Sequence, residues 1–224
     1  MKRYSFIFLL IFSVLVSQIS KAQNKKPEDF VPKGYVILEK EYGDLNNDGT
    51  DDCILIIKAT DKKGWVINSF GEKVDRNRRG IIVLFKKNNS YELASKNYSC
   101  FVSENEEGGV YFPSELYVEV KKGKLYVNFA HGRYGYWGYT FRYQNSDFEL
   151  IGYDSSASRG PVIYKETSIN FLTKKKLTRE DINWEKTMES GDEVFKETWE
   201  KVKVNKLIRL SEIKDFNDLD MYSY

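Results

Sequence analysis

The sequence predicts a mainly β protein, a single antiparallel meander that forms a curled sheet or sandwich with one or two short helices near the C-terminus. From Tyr35 onward, aromatic and β-branched residues recur in short alternating runs, in a chain that is 15% aromatic. Short segments of turn-forming residues connect many of these runs, and short connections favour antiparallel pairing of consecutive strands. The run from Cys53 to Ile57 is apolar on both faces, as expected for a central strand.

Alternation and turn residues place the individual strands. The predicted strands are Tyr35–Tyr42, Cys53–Ala59, Gly80–Lys86, Tyr91–Ser95, Ser99–Val102, Glu115–Val120, Lys124–Ala130, Tyr139–Gln144, Asp147–Asp154, Glu166–Phe171 and Phe195–Trp199. Residues 61–79 are rich in Gly, Lys and Arg and are predicted to form a long polar loop. Thr178 to Asp181 has the spacing of a capping box and predicts a short helix, and Ser211–Phe216 predicts a second one.

The first 22 residues have the pattern of a secretory signal. Lys2 and Arg3 precede an uncharged run from Phe6 to Val16, which is too short to span a bilayer as a stable helix. Small residues at Ser20 and Ala22 predict cleavage after Ala22, with export to the periplasm or the exterior and no stable membrane insertion afterwards. The predicted organisation is therefore a signal at 1–22, a polar leader at 23–33, a β-rich domain at 34–213 and a C-terminal tail at 214–224.

The charge of the predicted mature chain argues against nucleic acid as a partner. The full chain has a formal charge of +2, and removal of residues 1–22 takes away Lys2, Arg3 and Lys21 but no acid. The remainder carries 32 basic and 33 acidic residues, a charge of −1. A nearly neutral chain gives no electrostatic reason to expect nucleic acid or an anionic membrane surface.

A dense set of oxygen-bearing side chains lies immediately before the apolar strand. The side chains of Asp44, Asn46, Asp48 and Asp52 and the backbone carbonyl of Thr50 fall at alternating positions, with Gly49 available for a sharp turn. Hard cations such as Ca²⁺ take six to eight oxygen ligands on a tightly curved backbone. An EF-hand would need a bidentate glutamate at the twelfth position of the loop, which is Leu55 here, so the helical type of calcium site does not apply.

The loop D-x-N-x-D-G-x-x-D leading into a strand resembles the calcium-binding loop of FG-GAP repeats, known from integrin-type β-propellers and exported bacterial proteins. The resemblance implies a structural Ca²⁺ held by Asp44, Asn46, Asp48, Thr50 and Asp52. The loop occurs once in this sequence, whereas a propeller repeats such a unit in each blade, so the loop and not the propeller carries over. The alternative is an Asx-rich turn that bonds its own backbone without a metal.

A second candidate site lies in the segment 131–143, HGRYGYWGYTFRY, where glycines alternate with aromatic residues. Glycines let a backbone approach a ligand, and aromatic faces stack on sugars or peptides. The predicted ligand-binding residues are His131, Arg133, Tyr134, Tyr136 and Trp137. The alternative is that these rings pack in the core or in cross-strand pairs.

The remaining reactive residues restrict the chemistry. His131 is the only histidine, which excludes zinc sites that need two or three histidines. Cys53 and Cys100 are the only cysteines and could form a disulfide in an exported chain, or could remain two buried thiols. No catalytic residue is assigned.

Three functions are consistent with the sequence. The first is a non-enzymatic, calcium-stabilised exported domain that binds an envelope glycan or protein. The second is a carboxylate-based hydrolase of glycans or peptides, because acidic residues are plentiful and the separation of a carboxylate pair decides such chemistry. The third is an inhibitor or immunity-type protein of the periplasm.

Overall fold

The computed structural model describes residues 24–107, 113–186 and 189–224, and in these ranges the chain folds almost entirely into strands joined by turns. The predicted signal and its cleavage site lie outside the described residues. The strands are β1 (Tyr35–Gly43), β2 (Asp52–Ala59), β3 (Trp65–Ile67), β4 (Lys73–Asp75), β5 (Arg79–Lys87), β6 (Ser90–Phe101), β7 (Glu115–Lys121), β8 (Lys124–Ala130), β9 (Gly135–Gln144), β10 (Asp147–Arg159), β11 (Val162–Asn170), β12 (Lys175–Asp181) and β13 (Phe195–Lys201). Short 3-10 helices occupy Pro27–Phe30, Lys62–Gly64, Gly132–Tyr134, Leu210–Glu212 and Phe216–Asp218.

The strands form two larger antiparallel sheets and a separate hairpin. The small sheet has the order β1-β2-β5-β6, the large sheet runs from β7 to β13 in chain order, and β3 pairs with β4. This arrangement confirms the predicted mainly β, antiparallel meander. No helix among the described residues has the length and apolar character needed to cross a bilayer.

The apolar β2 strand is central, as its sequence predicts. It pairs with β1 on one side and β5 on the other, and its residues from Asp52 to Lys58 are all buried. Ile54 and Ile56 face the main core, while Leu55 and Ile57 face a second apolar cluster on the other side of the small sheet. Burial of apolar surface on both faces explains why this strand carries no alternation of apolar and polar residues.

The main core is shared by the two larger sheets and the C-terminal segment. Phe216 is 2% exposed, and its ring stacks on Phe101 of the small sheet with centroids 4.8 Å apart. The same ring contacts Tyr139 of the large sheet edge-on at 5.0 Å. Met221 is also buried, so the predicted C-terminal tail at 214–224 contributes side chains to the main core.

A buried carboxylate connects β6, β10 and the C-terminal segment. Asp147 Oδ1 accepts hydrogen bonds from Ser95 Oγ at 2.6 Å and from the Phe148 amide at 2.8 Å. The hydroxyl of Ser211 donates to the other oxygen of the same carboxylate. These bonds compensate for burying the polar groups between the layers.

The polar leader covers the outer face of the small sheet. Phe30 and Val31 pack on the second apolar cluster, and the Tyr91 amide donates a hydrogen bond to the Lys25 carbonyl at 3.0 Å. The described part of the leader is therefore attached to the domain by apolar contacts as well as by backbone bonds.

The helix predicted at Thr178–Asp181 is wrong, because these residues lie in β12. Arg179 lies opposite Glu166 of β11, and the two side chains form an ion pair at 2.5 Å. A capping box is a local signal worth about 1 kcal/mol, and strand pairing on both sides of β12 outweighs it. The helix predicted at Ser211–Phe216 is replaced by two separate 3-10 turns, Leu210–Glu212 and Phe216–Asp218.

Two further differences concern residues 61–107. The predicted polar loop contains the β3–β4 hairpin, and Asn77 holds its base by exchanging hydrogen bonds with the backbone of Asp61 at 3.1 and 2.8 Å. The two strands predicted within 91–102 are one strand, β6, whose pairing with β5 shifts register near Ile81 and Leu84. These irregularities let the polar middle of β6 remain in the sheet.

Candidate functional site

The predicted calcium loop connects β1 to β2 and forms a series of Asx turns. The carboxylate of Asp44 accepts hydrogen bonds from the amides of Asp48 at 3.1 Å and Gly49 at 2.9 Å. Asn46 Oδ1 accepts from the Asp48 amide at 2.9 Å, and Asp48 Oδ1 accepts from the Thr50 amide at 2.9 Å. Hydrogen bonding of the loop to its own backbone is what the metal-free alternative predicted.

Asp52 differs from the other acids of the loop because it is completely buried. Its two carboxylate oxygens accept hydrogen bonds from the amides of Leu45 and Lys86, both at 2.9 Å. Burial raises the pKa of Asp52, the two amide donors act against this, and the charges of Asp48 and Asp44 raise it further. The carboxylate ties the loop to β5.

The loop lies where the two larger sheets meet. Gly43 lies so close to β7 that a Cβ there would come within 2.6 Å of Val120 Cβ. At the β7–β8 turn, Gly123 has a φ of +68°, which favours glycine, and a Cβ there would come within 2.4 Å of the side-chain Nδ2 of Asn47. The conformation of the loop therefore bears on the contact between the sheets.

Metal binding by the loop requires its side-chain oxygens to converge on one point. Across residues 24–107, 113–186 and 189–224, no three His, Cys, Asp or Glu side chains are gathered in a way that could hold a metal ion. The oxygens of Asp44 and Asp52 point to different backbone amides. Calcium binding by this loop stays a prediction.

The aromatic residues of segment 131–143 divide between the core and the surface. Trp137 stacks on Phe129 at 5.3 Å with an interplanar angle of 12°, and Tyr139 and Phe141 are buried. Tyr136 is 46% exposed. Core packing therefore accounts for part of the segment, and the remainder surrounds two neighbouring cavities.

His131, Arg133 and Tyr134 lie at the 3-10 turn before β9. The His131 and Tyr134 rings are 5.3 Å apart. The Arg133 guanidinium lies 5.3 Å from the centroid of the Tyr134 ring, and its Nε donates to the Tyr134 hydroxyl at 3.2 Å. Arg133 is thus held beside an aromatic face while remaining exposed.

A cleft of about 1110 Å³ opens at this end of the large sheet, and we call it the aromatic cleft. Its walls come from the turn before β9, the β10–β11 turn, β11, and the end of β12 with the residues after it. The lining residues are Arg133, Tyr134, Ser158, Arg159, Gly160, Tyr164, Lys165, Glu180, Asp181, Ile182 and Trp184. The volume lies above the usual range for pockets that hold small ligands, which suits one end of a larger molecule.

Register places the cleft residues together. Lys165 on β11 is opposite Glu180 on β12, and their side chains form an ion pair at 2.7 Å. After β12, Asp181 Oδ1 accepts hydrogen bonds from the amides of Asn183 and Val194, both at 3.0 Å. The bond to Asn183 holds the backbone directly before Trp184, whose ring lies 6.3 Å from that of Tyr164.

A smaller cavity of about 350 Å³ adjoins the aromatic cleft and shares Tyr134 and Lys165 with it. It is lined by His131, Tyr134, Gly135, Tyr136, Trp137, Tyr139, Tyr153, Ser155, Ser156, Ala157, Lys165, Thr167, Phe216, Asn217, Leu219 and Tyr222. The five residues predicted for ligand binding thus line one or both of these two cavities. The sequence does not predict Arg159, Tyr164 and Trp184 as site residues, because no local pattern shows that their turns meet at one edge of the sheet.

The acids of the aromatic cleft already have partners. The hydrogen bond from Lys165 holds the pKa of Glu180 below its usual range, so Glu180 is an ionised acceptor near neutral pH. Asp181 is 3% exposed and accepts backbone hydrogen bonds. A glycosidase needs one carboxylic acid that stays protonated, and Glu180 does not meet this requirement.

The cysteines remain separate thiols in the structure. Cys53 packs in the second apolar cluster and Cys100 in the main core, and neither forms a disulfide. The disulfide that the sequence left open is not made, because the two side chains leave opposite faces of the small sheet. Burial raises the pKa of the Cys53 thiol to about 11 and also raises that of Cys100.

Comparison of the chain with protein-family profiles, curated protein sequences and solved structures gives no match. The geometry and chemistry of the site are therefore the basis for assigning a function.

Proposed function

We propose that this chain is an exported, non-enzymatic binding domain that takes a glycan or peptide of the cell envelope in the aromatic cleft. The observation that carries the proposal is the grouping of three aromatic side chains, Tyr134, Tyr164 and Trp184, around one open cleft. Tyr164 is 39% exposed and Trp184 is 46% exposed, so ring faces remain available to a ligand. Export rests on the sequence of residues 1–22, and calcium bracing rests on the loop at 44–52.

The distribution of polar groups supports binding over hydrolysis. Aromatic walls with a few polar groups are typical of ligand sites, because the rings supply contact area and the polar groups fix orientation. Glu180 is paired with Lys165, and Asp181 holds the backbone of the following segment. Glu180 and Asp181 therefore position the walls of the cleft. Neither carboxyl group is available to transfer a proton in a hydrolysis reaction.

Substitution of Trp184 tests the proposal. We expect Trp184→Ala to weaken binding at least about tenfold, because removal of a central aromatic contact commonly costs more than 1 kcal/mol. The measurement is binding of the purified protein to a panel of peptidoglycan fragments, envelope polysaccharides and envelope peptides, followed by titration of the best ligand.

Trp199→Ala is the matched control for this experiment. Trp199 is 63% exposed on β13 and does not line the aromatic cleft. Equal losses in the two variants, or full binding by Trp184→Ala, would contradict the proposal. Release of reducing ends or peptide fragments by the wild-type protein, abolished in Glu180→Gln, would support the hydrolase instead.

A further inference from the structure

The charges of the aromatic cleft are unequal once internal pairs are counted. Its basic residues are Arg133, Arg159 and Lys165, and its acids are Glu180 and Asp181. Lys165 and Glu180 neutralise each other at 2.7 Å. Asp181 is buried and directs an oxygen at backbone amides, which leaves two guanidinium groups for a ligand.

Neither arginine has an acidic partner among the described residues. Arg133 contacts the Tyr134 ring and hydroxyl, and Arg159 is exposed without an ion pair in the described part of the chain. By contrast, Arg179 on β12 is paired with Glu166 at 2.5 Å and Lys165 on β11 with Glu180 at 2.7 Å. Two unpaired guanidinium groups on one cleft are a specific feature of this site.

Strand pairing places both arginines on the same rim. The register of β9 with β10 ends at Gly135 opposite Ala157. Arg133 lies two residues before Gly135, and Arg159 lies two residues after Ala157, so both continue outward from the same pair of strands. A ligand that enters the cleft between the two turns meets both guanidinium groups.

We infer that the ligand of the aromatic cleft is an acidic glycan whose sugar rings carry carboxylates, with Arg133 and Arg159 selecting the charge. This inference rests on the proposed function and names its ligand class. A guanidinium binds a carboxylate through two parallel hydrogen bonds, which a lysine does not reproduce. The flat faces of Tyr134, Tyr164 and Trp184 fit the apolar faces of sugar rings.

The net charge of the chain does not explain a preference for an acidic glycan, so the preference depends on the charged residues of the cleft. The predicted mature chain has 32 basic and 33 acidic residues, so its net charge gives no general attraction to polyanions. Attraction of an acidic glycan then depends on the cleft arginines, and the two substitutions should remove it.

Titration calorimetry with an oligogalacturonate and its fully methyl-esterified form tests the inference, because esterification removes the charge and keeps the sugar chain. We expect the wild-type protein to bind the acidic oligomer at least about tenfold more tightly, since charge-assisted hydrogen bonds are the stronger kind. The double variant Arg133→Gln/Arg159→Gln should lose this preference and bind both forms alike. Arg142→Gln, which changes an exposed arginine of β9 outside the cleft, should keep it.

The other outcomes overturn the inference in distinguishable ways. Equal affinity of the wild-type protein for both oligomers, or no binding to either, would reject the acidic glycan as the ligand. The proposed function is tested separately, by binding to the panel of envelope glycans and peptides. Tighter binding to a polyglutamate peptide than to the oligogalacturonate would make the ligand an acidic peptide. Retention of the preference by the double variant rejects the role of the arginines.

Discussion

Cys53 and Cys100 show how the face of a strand decides the chemistry of a side chain. Their positions alternate with core residues, so Cys53 lies under the leader and Cys100 lies in the main core. A buried thiolate is unfavourable because the charge loses its solvation, and the raised pKa of Cys53, about 11, follows from this.

We expect both thiols to be free and unreactive in the folded protein. Protein purified without reductant should show two titratable thiols per chain in guanidinium chloride and almost none at pH 8 under native conditions. The measurement is a thiol titration with Ellman's reagent before and after unfolding. Absence of thiols after unfolding would mean that an oxidised form with a different arrangement exists.

Asp52 shows that the surrounding backbone determines where a carboxylate points. A carboxylate that the sequence assigns to a cation is 0% exposed and receives two backbone hydrogen bonds. Sequence spacing indicates which oxygens are close along the chain. The direction in which each oxygen points depends on the backbone that surrounds it.

The C-terminal segment is the element whose role the sequence understated. Its composition is polar, yet Phe216 and Met221 insert into the core, and Phe171 contacts Tyr224 edge-on at 5.0 Å. Widely spaced apolar residues in a polar stretch give no periodic signal, so a burial of this kind is invisible before the sheets are assembled.

We expect Phe216→Ala to lower the free energy of unfolding by about 3–5 kcal/mol, because it removes a fully packed ring and leaves a cavity between two sheets. Chemical denaturation of the purified domain measures this change. Phe70→Ala is the control, since Phe70 is 81% exposed and its loss should change stability by less than about 0.5 kcal/mol. Similar stability of the two variants would show that the segment is not docked in solution.

At the scale of the whole molecule, the 44–52 loop and the β7–β8 turn meet at the contact between the two larger sheets. If the loop holds Ca²⁺ as the resemblance implies, the ion affects the junction as well as a surface turn. The charges of Asp44 and Asp48 disfavour ionisation of the buried Asp52, and a bound cation would offset this effect.

We expect millimolar Ca²⁺ to raise the melting temperature by about 2–6 °C over a chelated sample. This range corresponds to about 1–1.5 kcal/mol for a site with a Kd of about 10⁻⁴ M. Differential scanning calorimetry with calcium and with EGTA measures the shift, and elemental analysis measures bound metal. The variant Asp44→Asn/Asp48→Asn, which leaves Asp52 in place, should abolish the shift.

Identical melting temperatures in calcium and EGTA, together with no bound metal, would contradict the calcium prediction. The Asx turns would then be the complete explanation of the loop sequence.

The sequence by itself determined the features that depend on local order along the chain. The apolar run of β2 predicted a central strand, and alternation with short turns predicted the antiparallel meander, because side-chain period and turn chemistry act over a few residues. The same local reasoning failed at β12, where pairing with β11 and β13 outweighed a capping signal.

Only the tertiary structure decided what meets across the chain. Arg159, Tyr164 and Trp184 form one cleft because the register of β9 to β12 brings their turns to the same edge of the sheet. Phe216 reaches the core because two sheets leave room for its ring. Contacts of this kind join residues far apart in sequence, and only the register and packing of the assembled sheets specify them.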